Sequence, residues 1–273
     1  MHKTDIENSQ PLVVCIHASA SSRGQWSTLV AAFAGHLRVL TPDLIGYGKS
    51  PHFIRGMKIQ DEVDNVLRQI EAEAGKTNSP LHLVGHSYGG AVALQIALMY
   101  PERVASLTVY EPAQFLLLFD NGVGGDAAQE ILTVHRFVQA RKNSWWQRRA
   151  AARYFIEYWS GRGAWSKLRF RARRRLVRLL PKVAAEFNAI LSAGVSAADV
   201  AMLHMPVRVI CGTATRAPAS AVSEALAAAA PCADRVMVDG VAHMAPVTHA
   251  KRINPLILEH VFTALSVDVK KAA

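Results

Sequence analysis

Six short runs rich in Val, Leu and Ile recur along the chain with helical segments between them, and no other feature limits the possible folds as strongly. The runs are PLVVCIH at 11–17, RVLTPD at 38–43, LHLVGH at 81–86, VASLTVYE at 104–111, PVRVICG at 206–212 and RVMVDG at 235–240. Such runs predict strands that are buried on both faces. Because strand and helix alternate, the sequence predicts an α/β fold, an open and mostly parallel sheet with helices on both faces.

The alternation of strand and helix stops after Glu111 and resumes only at residue 206. From 115 to 203 the chain is helical in pattern, rich in Arg and Trp, and interrupted at Gly161 and Gly163. We interpret this segment as a helical cap inserted into the sheet domain. The predicted organisation is an α/β core of residues 1–114 and 204–273 and a cap of residues 115–203.

Composition and cysteine usage favour a globular protein of the cytoplasm. The chain has 273 residues, of which 51% are hydrophobic, and this is enough for one large core. Its three cysteines are odd in number and widely spaced, which favours buried free thiols over a disulfide framework or a metal site. The polar start MHKTDIENSQ has no apolar secretion signal, and no apolar run reaches the roughly 20 residues of a membrane helix. We therefore expect no membrane partner.

Positive charge is concentrated in the predicted cap. The chain has a formal net charge of +10, and residues 136–182 hold fifteen Lys or Arg against one acid, Glu157, so that the rest of the chain sums to −4 (10 − 14). Such a block attracts nucleic acid, an anionic lipid surface or an anionic substrate, or it is simply a set of solvated helix faces. No RNA or DNA recognition module is visible, so no nucleic-acid partner is expected. Aromatic residues at helical spacings in the cap predict a packed layer: Trp145, Trp146, Tyr154, Phe155, Tyr158, Trp159 and Trp165.

The segment GHSYGG at 85–90 follows a predicted strand and opens a predicted helix. In this context G-x-S-x-G is typical of a tight turn that lifts the serine above the sheet, which makes Ser87 the candidate nucleophile. Gly85 and Gly89 avoid the clashes that a Cβ would cause in such a turn. The helix N-terminus beside Ser87 favours developing negative charge.

Three further segments extend this pattern: IHASASSRGQW at 16–26, VLTPDLIGYGKS at 39–50 and GVAHMAPVTH at 240–249. With GHSYGG they resemble the α/β-hydrolase family, over about Leu12 to Leu265. The resemblance implies Ser87 as nucleophile, His243 as general base, and the backbone N–H groups of Ser19 and Tyr88 as the oxyanion hole.

The resemblance has two departures, in the oxyanion loop and in the acid. Ala18 stands where the family commonly has Gly, a small change that we expect to reshape the loop only slightly. The family usually places the acid after the strand VRVICG, where this chain has Thr215 and no Asp or Glu. The alternative is Glu111, at the end of the preceding strand, where a subset of haloalkane dehalogenases carries its acid.

Neighbouring strands are about 4.8 Å apart, so the side chain of Glu111 can reach the same imidazole. Glu111 is therefore the predicted acid of a Ser–His–Glu triad, and the other interpretation is that it only caps the first turn of the cap. Asp199 and Asp239 are weaker candidates. His17 and His86 are expected to orient backbone rather than to react.

These residues predict a serine hydrolase that cleaves a small to medium carboxylic ester through an acyl-enzyme intermediate, without a cofactor. The same triad also suits a thioester, lactone or C–C bond hydrolase, with cofactor-free haloperoxidase activity as a side reaction. A non-catalytic ligand receptor on a hydrolase fold is the alternative from another class. The basic cap suits an ester that carries a carboxylate.

Few residues precede the first predicted strand, so the antiparallel hairpin that often begins this fold is expected to be absent. An uncovered edge strand would then favour pairing with a partner, such as a second copy in a homodimer. The sequence leaves the oligomeric state open.

Overall fold

The predicted sheet is present in the computed structural model, which describes residues 11–75, 79–120 and 125–272. Its six strands lie in the order β2-β1-β3-β4-β5-β6, and every neighbouring pair is parallel. The strands are β1 Leu12–Ile16, β2 Arg38–Leu40, β3 Leu81–His86, β4 Val104–Tyr110, β5 Val207–Gly212 and β6 Ala233–Val238. The α/β fold predicted from the alternation of strand and helix is confirmed.

Among the described residues, six helices flank the sheet: α1 Ser27–Phe33, α2 Ile59–Ala74, α3 Tyr88–Met99, α9 Ala217–Ala229, α10 Ala245–Thr248 and α11 Ala250–Ala272. Successive residues of a strand point to opposite faces of the sheet, and β1 shows the result. Val14 packs in one core cluster with Val63 of α2, while Val13 packs in a second cluster with Phe33 of α1 and Ile257 of α11. Within the described part of the chain, no helix combines the length and apolarity needed to cross a bilayer.

In the part of the predicted cap that the structure describes, five helices lie between β4 and β5: α4 Gly125–Ala140, α5 Trp145–Ser160, α6 Ala164–Lys167, α7 Phe170–Leu191 and α8 Ala197–Val200. A 3₁₀ turn at Phe115–Leu118 leads into them. The predicted aromatic layer is correct in part. Phe155, Tyr158, Trp159 and Trp165 are buried, but Trp146 is 76% exposed and Trp145 is 39% exposed. Helical spacing alone does not separate the buried face of a cap helix from its exposed face.

The prediction that all strands are buried on both faces is wrong for β6. This strand is at one edge of the described sheet, and most of its residues are half-buried or exposed. At the other edge, β2 is only three residues long. The prediction of buried cysteines holds for Cys15 and Cys211, whereas Cys232 is exposed, because it follows α9 at the entry to the edge strand.

Stability is expected to fall as the pH drops from about 6.5 to about 4. Burial lowers the pKa of His17 and of His260 to about 4, from an ordinary value of 6.5. In this range the unfolded chain takes up protons on both rings and the folded chain does not, so stability rises with pH across the window. Each ring contributes up to about 3 kcal/mol. Thermal melting against pH measures the effect.

A matched pair of variants separates this histidine effect from that of other groups. His260→Gln should flatten the dependence of melting temperature on pH, because it removes one buried imidazole. His52→Gln, at an exposed position, should keep the wild-type dependence. Equal slopes for the two variants would contradict the assignment.

Candidate active site

Ser87 lies at the sharp turn between β3 and α3. Its backbone has φ 55° and ψ −119°, a region that residues with a side chain rarely adopt. A Cβ on Gly85 would lie 2.5 Å from the carbonyl oxygen of Gly89, and a Cβ on Gly89 would overlap the carbonyl oxygens of Ile16 and His17. Glycine is therefore required at both positions, and the turn holds the Ser87 hydroxyl at the carboxyl end of the sheet.

Three of the predicted site residues form a continuous chain of hydrogen bonds. His243 Nε2 lies 3.0 Å from Ser87 Oγ, and His243 Nδ1 lies 2.8 Å from Glu111 Oε2. A proton on Nδ1 satisfies both contacts, because the imidazole then donates to the carboxylate and accepts from the hydroxyl. All three side chains are buried, with Ser87 8% exposed. Such an arrangement can move a proton from hydroxyl to imidazole while the carboxylate offsets the imidazolium charge.

Glu111 comes from the end of β4, the strand next to β3. His86 and Tyr110 are paired in the sheet, so Ser87 and Glu111 directly follow a matched pair of residues. Glu111 has φ 42°, which turns the chain sharply after the strand. The other interpretation of Glu111 does not hold, since the N-cap of the 3₁₀ turn that follows is Gln114 and no side chain caps that turn.

Two donors from the end of β5 fix the Glu111 carboxylate. The Gly212 N–H donates to Oε1 at 2.9 Å, and the Thr215 hydroxyl donates to Oε2 at 2.7 Å. Thr215 stands where the family usually has its acid, and here it holds the carboxylate rather than the imidazole. The sequence does not indicate this support for Glu111, because it shows only that Thr215 stands in the place of the acid.

The two weaker acid candidates have local roles elsewhere. Asp199 Oδ2 accepts hydrogen bonds from the Ser196 N–H at 2.8 Å and the Ser196 hydroxyl at 2.7 Å, at the start of α8. Asp239 Oδ1 accepts from the Thr213 hydroxyl at 3.0 Å. Both side chains are exposed, so each carboxylate stabilises a surface turn.

The loop that carries His243 is held by buried side chains from the sheet. The Tyr110 hydroxyl donates to the Ala242 carbonyl at 2.9 Å, and His86 Nε2 donates to the His243 carbonyl at 2.8 Å. His86 Nδ1 then accepts from Gln25 Nε2 at 3.1 Å. Burial holds the pKa of His86 well below its ordinary value, and the neighbouring His243 lowers it further. His86 therefore stays neutral and orients backbone, as the sequence predicts.

The loop after β1 lies against the same hydroxyl. Ser19 lines the cavity that contains Ser87, and its N–H has no hydrogen-bond partner in the described part of the chain. The Tyr88 N–H is the first donor of α3, where a helix offers no internal acceptor. Ala20 has φ 58°, and its N–H donates to the Tyr47 hydroxyl at 2.9 Å. This contact holds the loop in a conformation that a residue other than glycine rarely adopts.

His17 orients the beginning of that loop. Its Nδ1 donates to the Ala18 carbonyl at 2.8 Å, and its Nε2 accepts from the Leu44 N–H at 3.2 Å. At the departure from the family, the Ala18 N–H donates to Gln25 Oε1 at 3.2 Å, so the loop is tied to the segment that follows it.

Sequence analysis missed a contact that reaches this loop from the cap. The Tyr47 hydroxyl donates to Glu186 Oε1 at 2.8 Å, across 139 positions of sequence. Glu186 lies on α7 and is buried. A signal was present in the sequence, because Glu186 is the one acid in the strongly basic stretch 170–191.

The cavity above Ser87 is small and mostly apolar. Its volume is about 20 Å³, and its walls are Ser19, Ser87, Ala113, Phe115, Phe155, Trp159, Glu186, Phe187 and Ile190. The rings of Trp159 and His243 lie with their centroids 4.1 Å apart. A space of this size holds about one water molecule, so a substrate has to displace cap side chains on entering. Within the described residues, no group of three or more His, Cys, Asp or Glu side chains has a metal-binding arrangement.

Tyr47→Phe is expected to lower kcat for ester hydrolysis by about tenfold. The substitution removes the acceptor of the Ala20 N–H and so loosens the loop that carries Ser19; misplaced oxyanion donors reduce transition-state stabilisation. Steady-state hydrolysis of p-nitrophenyl butyrate measures the change. Tyr100→Phe, which alters a tyrosine at the end of α3, is the matched control. Equal kcat values for the two variants would refute the proposed support of the loop.

Comparisons with known proteins agree with this fold. A probable 1-acylglycerol-3-phosphate O-acyltransferase of Oryza sativa subsp. japonica is 34% identical over 113 residues, which are 41% of this chain and 27% of that protein. A pimeloyl-[acyl-carrier protein] methyl ester esterase of Aeromonas hydrophila subsp. hydrophila is 37% identical over 98 residues, which are 36% of each chain. The alignments thus span about a third of these relatives or less.

Among solved structures, a thermophilic esterase from Thermogutta terrifontis with malate bound has a TM-score of 0.73 at 20% identity. The likeness covers 94% of this chain and 91% of that chain, and at this identity it shows the fold alone. Residues 11–250 match the family model described as the alpha/beta hydrolase fold. With most of its length matched in this way, the chain belongs to the alpha/beta hydrolase fold family.

Proposed function

We propose that this protein is a serine hydrolase that cleaves a carboxylic ester of a small to medium acyl group. The observation that carries the proposal is the hydrogen-bonded chain from Ser87 Oγ through His243 to Glu111. One partial relative is, by its name, a methyl ester esterase. An ester is the favoured substrate because its alkoxide leaving group needs only the one proton that this chain of residues can deliver.

In the first half of the reaction, Ser87 Oγ bonds to the acyl carbon as its proton passes to His243 Nε2. Glu111 accepts from Nδ1–H and so stabilises the imidazolium. The carbonyl oxygen becomes an oxyanion, to which the Ser19 and Tyr88 N–H groups donate. Losing one such donor typically costs on the order of 10²-fold in rate. The C–O bond of the ester then breaks, and the alcohol leaves with the proton from His243.

In the second half, a water molecule attacks the acyl-enzyme while His243 accepts its proton. The tetrahedral intermediate is held by the same two N–H groups, and its collapse returns the proton to Ser87 Oγ and releases the acid. The aromatic walls of the cavity exclude bulk water, which strengthens the contact between His243 and Glu111.

A fluorophosphonate probe tests the proposal directly. The probe should form one covalent adduct, and mass spectrometry of the digested protein should place it on the peptide that contains Ser87. The labelled protein should lose turnover of p-nitrophenyl acetate and butyrate in step with the extent of labelling. Denatured protein is the control, because only the folded turn activates the serine.

The opposite result is as informative. A folded protein that neither reacts with the probe nor turns over either ester would refute the hydrolase assignment, and it would favour the ligand-receptor interpretation of the same cavity.

A further inference from the structure

A buried ionic cluster connects the cap to the core beneath the Ser87 cavity. Lys182 and Glu186 lie one turn apart on α7, and Glu62 lies on α2. All three side chains are buried. Lys182 Nζ lies 2.6 Å from Glu62 Oε1 and 3.4 Å from Glu186 Oε1. The cluster has two carboxyl groups and one ammonium group, so it contains one more carboxyl group than ammonium groups.

The two acids differ in how their oxygen atoms are used. Glu62 uses both, since Oε1 accepts from Lys182 and Oε2 accepts from the Ile45 N–H at 2.8 Å. Glu186 uses one, since the Tyr47 hydroxyl donates to Oε1 and Lys182 lies nearest to the same atom. Glu186 Oε2 is buried and accepts no hydrogen bond from the described residues. A buried carboxylate oxygen that accepts no hydrogen bond destabilises the folded protein. The unpartnered Oε2 of Glu186 therefore indicates a ligand that supplies the missing donor.

Glu186 shares a cavity with the candidate nucleophile. The walls of that cavity include Ser19, Ser87 and the rings of four aromatic residues: Phe115, Phe155, Trp159 and Phe187. Among the described lining residues, Glu186 is the one that is ionisable. A carboxylate oxygen beside aromatic faces suits a group that donates hydrogen bonds, and a protonated amine gains from the ring faces as well.

We propose that Glu186 determines substrate specificity: its Oε2 accepts a hydrogen bond from a hydroxyl or protonated amine of the substrate bound over Ser87. The inference rests on the proposed function, because it names a feature of the substrate recognised at that site. A carboxylate on the substrate would instead lie beside the buried carboxylate of Glu186. Two like charges in a site of low dielectric repel each other strongly.

This preference is separate from the charge of the cap surface. The excess of Lys and Arg in residues 136–182 attracts anions at long range, and salt screens this attraction within about 10 Å at 0.1 M. Glu186 acts inside the cavity, where screening is weak. Binding measured at one high ionic strength therefore reports the cavity and not the surface.

Calorimetric titration with small probes tests the proposal without requiring turnover. The probes are unbranched alkylammonium ions, alcohols and carboxylates, from methyl to hexyl. Wild type, Glu186→Gln and Glu62→Gln are compared at high ionic strength. Glu62→Gln is the matched control, because Glu62 contacts the same lysine but does not line the cavity. Melting temperatures show that each variant is folded.

In wild type, the best ammonium or alcohol probe should bind at least about tenfold more tightly than the carboxylate of the same length. Glu186→Gln should reduce that ratio by about tenfold or more, and Glu62→Gln should keep it. Loss of affinity for ammonium ions, for alcohols or for both identifies the donor.

An unchanged ratio in Glu186→Gln, tightest binding of carboxylates, or no binding of any probe would overturn the proposal. An equal loss in Glu62→Gln would also overturn it, because the effect would then come from the cluster and not from contact with Glu186. Reaction of Ser87 with a fluorophosphonate, measured on the same proteins, reports the proposed function separately.

Discussion

Ser87→Ala is expected to lower kcat for p-nitrophenyl butyrate by about 10⁴-fold or more, with little change in melting temperature. In the proposed mechanism the Ser87 hydroxyl oxygen bonds to the acyl carbon, and without it the remaining groups only bind and polarise the ester. The side chain is small, and alanine leaves the turn between Gly85 and Gly89 intact, so the fold should persist. Burst and steady-state kinetics measure the loss.

Ser160→Ala is the matched control for that experiment. Ser160 is exposed at the end of α5 and lines a surface cleft that also contacts His243, so it is near the site without facing Ser87. Its variant should keep wild-type kinetics. If Ser87→Ala retained a tenth or more of wild-type kcat, another residue or a water molecule would have to be the nucleophile.

Glu111→Gln is expected to lower kcat by about 10³-fold to 10⁴-fold. The glutamine keeps the shape of the side chain, and its carbonyl can still accept from the Gly212 N–H. It carries no negative charge to stabilise imidazolium, and its amide group favours the wrong tautomer of His243. The dependence of kcat/KM on pH, measured with p-nitrophenyl butyrate, should show the loss at every pH at which wild type is active.

Two further variants locate the acid. Asp239→Asn alters an exposed carboxylate that is close to His243 in sequence, and it should keep wild-type kcat. Thr215→Ala removes one donor to the Glu111 carboxylate and should cost only about threefold to tenfold, because the Gly212 N–H still donates to it. A near-normal rate in Glu111→Gln, or a collapse in Asp239→Asn, would show that the acid is assigned wrongly.

The sequence predicts those parts of the fold and site that depend on local pattern. Apolar runs predict the strands, and the glycines around Ser87 predict the turn, because a Cβ would overlap backbone there. The contact between Glu111 and His243 was also predictable, because neighbouring parallel strands end at the same edge of the sheet and lie at a fixed spacing. His243 could be chosen among eleven histidines by its place after the last strand.

Other features depend on contacts between distant segments, which local pattern does not encode. The hydrogen bond between Tyr47 and Glu186 joins the core to the cap, and no periodicity in either segment predicts it. The predicted burial is also wrong for residues beside the edge of the sheet or on the outer side of the cap. Cys232 and Trp146 are exposed because one precedes an edge strand and the other is on the outer side of a cap helix.

The placement of Glu111 directly after β4 affects which segments of the chain can be exchanged. The proposed oxyanion loop, nucleophile and acid all precede residue 115, and of the proposed triad only His243 follows the cap. The loop after β5 therefore carries none of the proposed reacting groups, and it is free to diverge as long as a donor such as Thr215 remains. Grafting a foreign cap between β4 and β5 would leave the acid, its strand and the nucleophile on one uninterrupted stretch of chain. The chain is thus a suitable host for cap chimeras that exchange substrate selection, provided that the new cap supplies partners for the buried Glu62 carboxylate and the Tyr47 hydroxyl.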